Sequence, residues 1–352
     1  MKKHKICKIL LVILAIFLCV AFYELLGICV AYKKQPEVSN TTKKETKNGS
    51  WNECSENTER AVIIEKNPEA LLQRVRLIKN AKKEIILSTF AFQSDESGKL
   101  ILGALHDAAD RGVHIRLLVD GMESWIDMEG NPYFYGLSSH ENVEIKLYNK
   151  ANPLKPWKMM GRMHDKYLIA DGKRYILGGR NTYNYFLGDF PGHKNYDRDV
   201  LVVCDEPEKE NSVNQLLEYF ETIWEQEDSG YFHDNKKLAN RKSVKNAVLE
   251  LQNSYQKYFE ENKERICDTD YTDETFETEK IALVSNPIHT GSKEPVVWYQ
   301  LGELMKNAKN RVKIHTPYII CNDMMYNTWE EIAQKVPDFS IMTNSVANNG
   351  NP

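Results

Sequence analysis

The sequence predicts a layered α/β lobe with a mainly parallel or mixed sheet, the beginning of a second lobe like it, and an apolar helix ahead of both. Three observations carry this expectation. From Ala61 to about Gln226, segments of helical period alternate with short β-branched and aromatic runs, the pattern of repeated strand–helix–strand units. Residues 77–89 align without gaps to residues 304–316, sharing Leu, Lys, Asn, Ala, Lys and Thr at matching places. Residues 9–32 form an apolar run interrupted by a single charge, Glu24.

Taken in order, residues 1–8 are basic and read as a cytosolic amino terminus. The apolar run 9–32 would reach about 36 Å as a helix, enough for a hydrocarbon core of about 30 Å. It therefore reads as an uncleaved membrane anchor. A cleavable signal peptide is the rival reading, but 27–31 (Gly-Ile-Cys-Val-Ala) is a poor small-x-small site. Lys2, Lys3, Lys5 and Lys8 outnumber Lys33 and Lys34, which favours a single pass through the cell membrane with the following domain outside the cytoplasm. Residues 33–60 are polar and read as a flexible tether. The lobe 61–229 then predicts helices over 68–82, 99–111 and 212–224, with strands over 84–92, 113–120, 143–148 and 200–203. Residues 230–280 are highly charged and read as a helical connector, and an incomplete second lobe occupies 281–352. Its 341–344 (Ile-Met-Thr-Asn) echoes 117–120 (Leu-Leu-Val-Asp).

The chemistry concentrates between these strands. His164 and Lys166 are two apart beside the β-like run Tyr167, Leu168, Ile169, so they project from one face. Asp171-Gly172 is a tight-turn dipeptide that folds the chain back through Tyr175, Ile176 and Leu177 to Gly178, Gly179 and Asn181. The pattern is HxKxxxxD with a GGxN tail. A neutral imidazole is a competent nucleophile towards phosphorus, while an ammonium and an amide hold the non-bridging oxygens as charge builds. Gly178 and Gly179 would let backbone N–H groups approach a phosphate. Lys166 and Asn181 supply the positive field, so the arrangement calls for no metal and no cofactor.

On these residues, together with 108–120, 162–171, 176–181 and 197–200, the sequence resembles the phospholipase D superfamily, and within it the bacterial cardiolipin synthase-like members. The likeness runs over about 65–352. Many relatives have serine where this chain has Gly179. The resemblance implies a phospholipase D-like fold of two lobes, each giving one HxKxxxxD motif to a shared site. One histidine attacks phosphorus; the other protonates the leaving alcohol and later deprotonates the acceptor. This sequence holds one such motif, and the repeat spacing puts the counterpart of His164 beyond Pro352. The second motif is therefore expected from a longer chain, of which this is a fragment, or from a homodimer pairing two copies of His164; the remaining reading is a truncated, inactive product.

Supporting residues follow. Asp197 and Asp199 alternate ahead of an apolar strand, and either could accept the ring N–H of His164; the resemblance favours Asp197. Asp171 belongs to the motif and is expected to act through the turn. His106, His114 and His140 have no partner spacing. With 46 basic and 50 acidic side chains the net charge is −4, which disfavours nucleic acid as substrate. Lys150, Lys155, Lys158 and Arg162, mixed with Pro153, Pro156, Trp157, Met159 and Met160, read either as a segment lying on an anionic membrane or as a solvated loop. Cys54, Cys204, Cys267 and Cys321 lack metal spacing and read as ordinary thiols. The expectation is a membrane-anchored phosphatidyltransferase that makes cardiolipin from phosphatidylglycerol. The alternatives are a phospholipid or nucleic-acid hydrolase, or an inactive module that binds lipid or phosphate.

Overall fold

A computed structural model describes residues 2–49, 59–206, 211–233 and 235–345. Cys54, the 50–58 part of the expected tether and the last seven residues lie outside them. The chain divides into two units, one of residues 1–33 and 54–283, the other of 34–53 and 284–352.

The apolar run forms one helix, α1 (Lys2–Ala31), of which Lys8–Ala31 is long and apolar enough to cross a membrane. The first unit is otherwise built on a mixed sheet. Its strands are β1 (Arg60–Ile64), β2 (Glu84–Thr89), β3 (His114–Asp120), β4 (Val143–Tyr148), β5 (Tyr167–Ala170), β6 (Arg174–Gly178), β7 (Asp199–Val203), β8 (Ser229–Tyr231) and β9 (Phe276–Glu277). Their order is β8-β4-β3-β2-β5-β6-β7-β1-β9, with β2, β3 and β4 parallel and the other pairings antiparallel. The parallel part is the expected strand–helix–strand portion. The strand β1, unanticipated from the sequence, pairs with β7 across 60–64 and extends the sheet.

Side-chain alternation along these strands sorts the layers. Ile85, Leu87, Ile115, Leu117, Ile145 and Leu147 enter a core shared with α3 (Asn67–Asn80), α4 (Glu96–Asp110) and α6 (Pro132–Ser138). The intervening Arg116 faces the other way, its guanidinium 4.7 Å from the ring of Phe220 in α7 (Ser212–Trp224). Between β3 and α6 runs the short α5 (Glu123–Asp127).

The expected connector is instead part of this unit. Helix α8 (Lys242–Glu261) buries Val244, Ala247, Leu251, Tyr255 and Phe259, a stripe at spacings of three and four, and packs on α4 and α6. Gly103 of α4 permits this approach, since a Cβ there would fall 2.7 Å from both the Leu251 carbonyl oxygen and the Tyr255 Cβ. The following α9 (Lys263–Cys267) packs on α3, and the buried Arg76 pairs with Asp268 and Glu274.

The second unit contains α10 (Val296–Lys306), β10 (Arg311–His315), α11 (Asp323–Lys335) and β11 (Asp338–Met342), with β10 and β11 parallel. The repeat is structural: Leu87 pairs with Leu117 in the first unit, and Ile314 pairs with Ile341 in the second. The part of the tether that is described is not coil. Residues 40–48 form α2 (Asn40–Asn48), capped by Ser39 and closed by Gly49 in the left-handed region, with the Glu294 carboxylate accepting from Ser39 N–H and the Thr42 hydroxyl. Local capping outweighs the low apolar content that suggested disorder. No disulfide forms among the described residues; Cys204 is buried and accepts from Asn211.

Candidate active site

The sheet order decides where the motif lies. The carboxyl ends of β2, β3, β4 and β6 and the amino ends of β5 and β7 meet along one edge, and the residues flanking them converge there. His164 and Lys166 lie just ahead of β5 rather than within it, but the Gly178 N–H still donates to the Lys166 carbonyl at 3.1 Å, so the hairpin ladder continues to Lys166. Both side chains close on Phe90, which follows β2. The imidazole of His164 is edge-on to that ring with centroids 4.7 Å apart, and Lys166 Nζ is 5.3 Å from its centroid. The shared face expected from the two-residue spacing is present, with Phe90 as its floor.

Burial and neighbouring charges set the ionisation of both groups. Burial against Phe90 and the neighbouring Lys166 ammonium push His164 down to about 4, so the ring is neutral at neutral pH and carries a lone pair. Burial pushes Lys166 down to about 8, opposed by the nearby carboxylates of Asp165 and Asp197. Lys166 is buried and its Nζ donates to the His164 carbonyl at 2.6 Å, which orients the ammonium and fixes the backbone beneath the imidazole. Asn181 is buried too, and its Oδ1 accepts from the Ala91 N–H, leaving the amide NH2 as the end it can offer a ligand.

The other expected site residues divide. Asp197 lies beside Gly179: a Cβ on Gly179 would fall 2.1 Å from its Oδ2, so the carboxylate occupies the volume in which many relatives place serine. It is near enough to Lys166 to raise that group's pKa. Asp199, by contrast, is buried between Arg74 and Arg180, 2.9 and 3.2 Å from their guanidinium nitrogens, and is committed to that triad rather than to the imidazole. Gly178 is also reassigned. Its N–H is taken by the ladder, and what requires glycine is the close approach of the chain entering β7, where the Arg198 carbonyl oxygen would be 2.5 Å and the Asp199 Cα 2.7 Å from a Cβ. Asp171 stands at the opposite end of β5 from His164. It adopts φ 55° and Gly172 φ 62°, a hairpin turn, and its carboxylate accepts from the backbone N–H groups of Lys82, Lys83 and Glu84. Its contribution is to tie the turn to β2, not to touch a substrate.

Three residues were missed by sequence reasoning. Phe90 had no visible signal beyond its place after a strand. Asp120, fully buried at the end of β3, accepts from the Met122 and Met163 N–H groups and pairs with Arg162 at 3.0 Å, so it holds the segment leading into His164. A carboxylate closing an apolar strand, with an arginine two residues before the histidine, was the available clue. Arg180, inside the GGxN tail, is buried and donates to Asn67 Oδ1 and to the Ile64, Glu65 and Asp197 carbonyls, pinning the loop that carries Gly179 and Asn181. Among the described residues no group of three or more His, Cys, Asp or Glu side chains is placed to hold a metal ion.

Comparison with known proteins places the domain that carries these residues in a family. The family described as "Cardiolipin synthase, PLD-like domain" matches residues 74–224, the segment holding every site residue above except Ile64, Glu65 and Asn67. An uncharacterised protein of Helicobacter pylori is 28% identical over 315 residues, covering 82% of this chain and 59% of its own length. Cardiolipin synthase C of Escherichia coli is 29% identical over 171 residues, 45% of this chain and 34% of that protein. The chain thus spans little more than half the length of the first of these relatives and a third of the second. Among solved structures, phosphatidylserine synthase of Haemophilus influenzae superposes with a TM-score of 0.54 at 15% identity, over 86% of this chain and 66% of that one, a likeness of fold.

Proposed function

Because the 74–224 domain makes this chain a member of the phospholipase D superfamily, we propose that it is a membrane-anchored phosphatidyltransferase that makes cardiolipin and glycerol from two molecules of phosphatidylglycerol. The observation that carries the proposal is the neutral imidazole of His164 held beside the Lys166 ammonium on the Phe90 ring. In the first half-reaction an imidazole nitrogen attacks the phosphorus of one phosphatidylglycerol; a P–N bond forms, the P–O bond to the headgroup glycerol breaks, and the departing oxygen takes a proton from a general acid. In the second, the headgroup hydroxyl of another phosphatidylglycerol attacks, the P–N bond breaks, and the hydroxyl proton passes to the same acid–base group. Lys166 and the Asn181 amide hold the non-bridging oxygens as charge grows. The acid–base group is the histidine of a second HxKxxxxD motif, supplied by a longer chain or by a second copy.

The apolar helix α1 is the membrane anchor, with its basic end in the cytoplasm and the first unit outside. Mild net acidity favours a lipid over a nucleic-acid substrate. The test is to supply the full-length protein with phosphatidylglycerol vesicles and measure products. Cardiolipin and glycerol in equal amounts support transfer; phosphatidic acid with glycerol, insensitive to added acceptor, reassigns the reaction to hydrolysis; and cleavage of naked DNA without lipid turnover reassigns it to a nuclease.

A further inference from the structure

Beside the site, the first unit exposes large apolar side chains on two neighbouring segments. Trp125 and Ile126 of α5 are 70% and 68% exposed, and Leu154, Trp157 and Met160 of the segment between β4 and β5 are 77%, 45% and 58% exposed. Apolar side chains of this size are costly to leave in water and mark an interaction surface. Its place in the fold identifies the occupant. The segment rests on the carboxyl-terminal part of α1: Tyr23 donates through its hydroxyl to the Leu154 carbonyl at 2.9 Å, and Pro156 packs so closely on Gly27 that a Cβ there would lie 2.5 Å from Pro156 Cγ. Gly27 and Tyr23 precede the helix end at Ala31 by about 6 and 12 Å of helix rise. With α1 across the bilayer, the segment lies at the depth that interfacial apolar side chains reach, roughly 5–10 Å below the headgroups.

The same segment is joined to the nucleophile by hydrogen bonds. Asn149, at φ 50°, donates through its amide to the Lys158 and Gly161 carbonyls, and Arg162 bridges the Asn149 carbonyl to Asp120, whose carboxylate also receives the Met122 and Met163 N–H groups. The start of α5, the apolar segment and the approach to His164 thus form one piece. We infer that this edge, carrying Trp125, Ile126, Leu154, Trp157 and Met160, is inserted in the outer part of the bilayer beside α1, so that the site takes phospholipid directly from the membrane plane. The inference rests on the membrane-anchor reading of α1. The exposed Lys155 meets anionic headgroups, and the two tryptophans sit at the interface where indoles partition.

The test uses the full-length protein reconstituted in phosphatidylglycerol–phosphatidylcholine vesicles containing lipids brominated at shallow or deep acyl positions. Tryptophan fluorescence is quenched more by the shallow bromines, and W125F combined with W157F lowers that quenching at least about twofold while leaving vesicle association unchanged. If the protein stays with the vesicles through an alkaline wash but quenching is the same in the variant, this edge is not inserted, though α1 still anchors the chain. If the protein washes off, α1 is not an anchor and the inference falls with it.

Discussion

At the scale of single residues, reactivity comes from burial and from a chain of neighbours in which Asp197 acts on Lys166 and Lys166 on His164. His164 at about 4 and Lys166 at about 8 define the pH window in which the ring is neutral and the ammonium charged. Below the lower value the imidazole is protonated and cannot attack; above the upper value the phosphate loses its cation. The kcat/KM profile should therefore rise through about pH 4 and fall through about pH 8, with the alkaline limb moved upward in Lys166→Arg, measured on the complete enzyme. Asp197 keeps Lys166 from falling further, and it occupies the volume a side chain on Gly179 would need. Gly179→Ser should displace the carboxylate and shift the alkaline limb to lower pH, as should Asp197→Asn; an unmoved limb in both variants would refute the coupling. The pair His164 and Lys166 was legible in sequence because spacing alone puts two side chains on one face. The exclusion of Asp199 and Gly178 was not, since it depends on which face of β7 meets Arg74, Arg180 and β6.

At the scale of elements, the buried Arg74–Asp199–Arg180 triad fixes the site loop to α3 and β7. Removing its one anion leaves two buried guanidinium groups facing each other, so Asp199→Asn should cost about 3–5 kcal/mol in unfolding free energy. Denaturant titration of the variant checks this; a loss below about 1 kcal/mol would mean that the triad is solvated. The close approach of α4 and α8 at Gly103 is similarly intolerant of bulk. Gly103→Val should destabilise the unit by about 1–3 kcal/mol through overpacking, read in the same titration. The stripe Val244, Ala247, Leu251, Tyr255, Phe259 lies in a segment whose charge density suggested a helical connector. What decides between a connector and a packed helix is whether another helix offers a matching apolar face, which is a tertiary fact. In the same way α2 was hidden because Glu294, which braces its Ser39 cap, lies far away in sequence.

At the scale of the whole molecule, residues 304–316, which repeat 77–89, lie in the second unit, whose described elements run helix, strand, helix and parallel strand as 67–120 do. The registers match at Leu87–Leu117 and Ile314–Ile341, fully buried in the first unit and half-buried in the second. The apolar helix at the amino terminus was legible from length and hydropathy alone. The site, however, is assembled from the edge where strands of opposite direction meet, and no local pattern fixes β5 beside β2.

The most direct test of the central claim is to denature the full-length protein during turnover of phosphatidylglycerol at mildly alkaline pH, where a P–N bond survives, and to map the modified peptide by mass. A phosphatidyl adduct on the imidazole of His164, absent in His164→Ala together with all lipid turnover, is the predicted result. Undiminished turnover in His164→Ala, or an adduct on another residue, would contradict it.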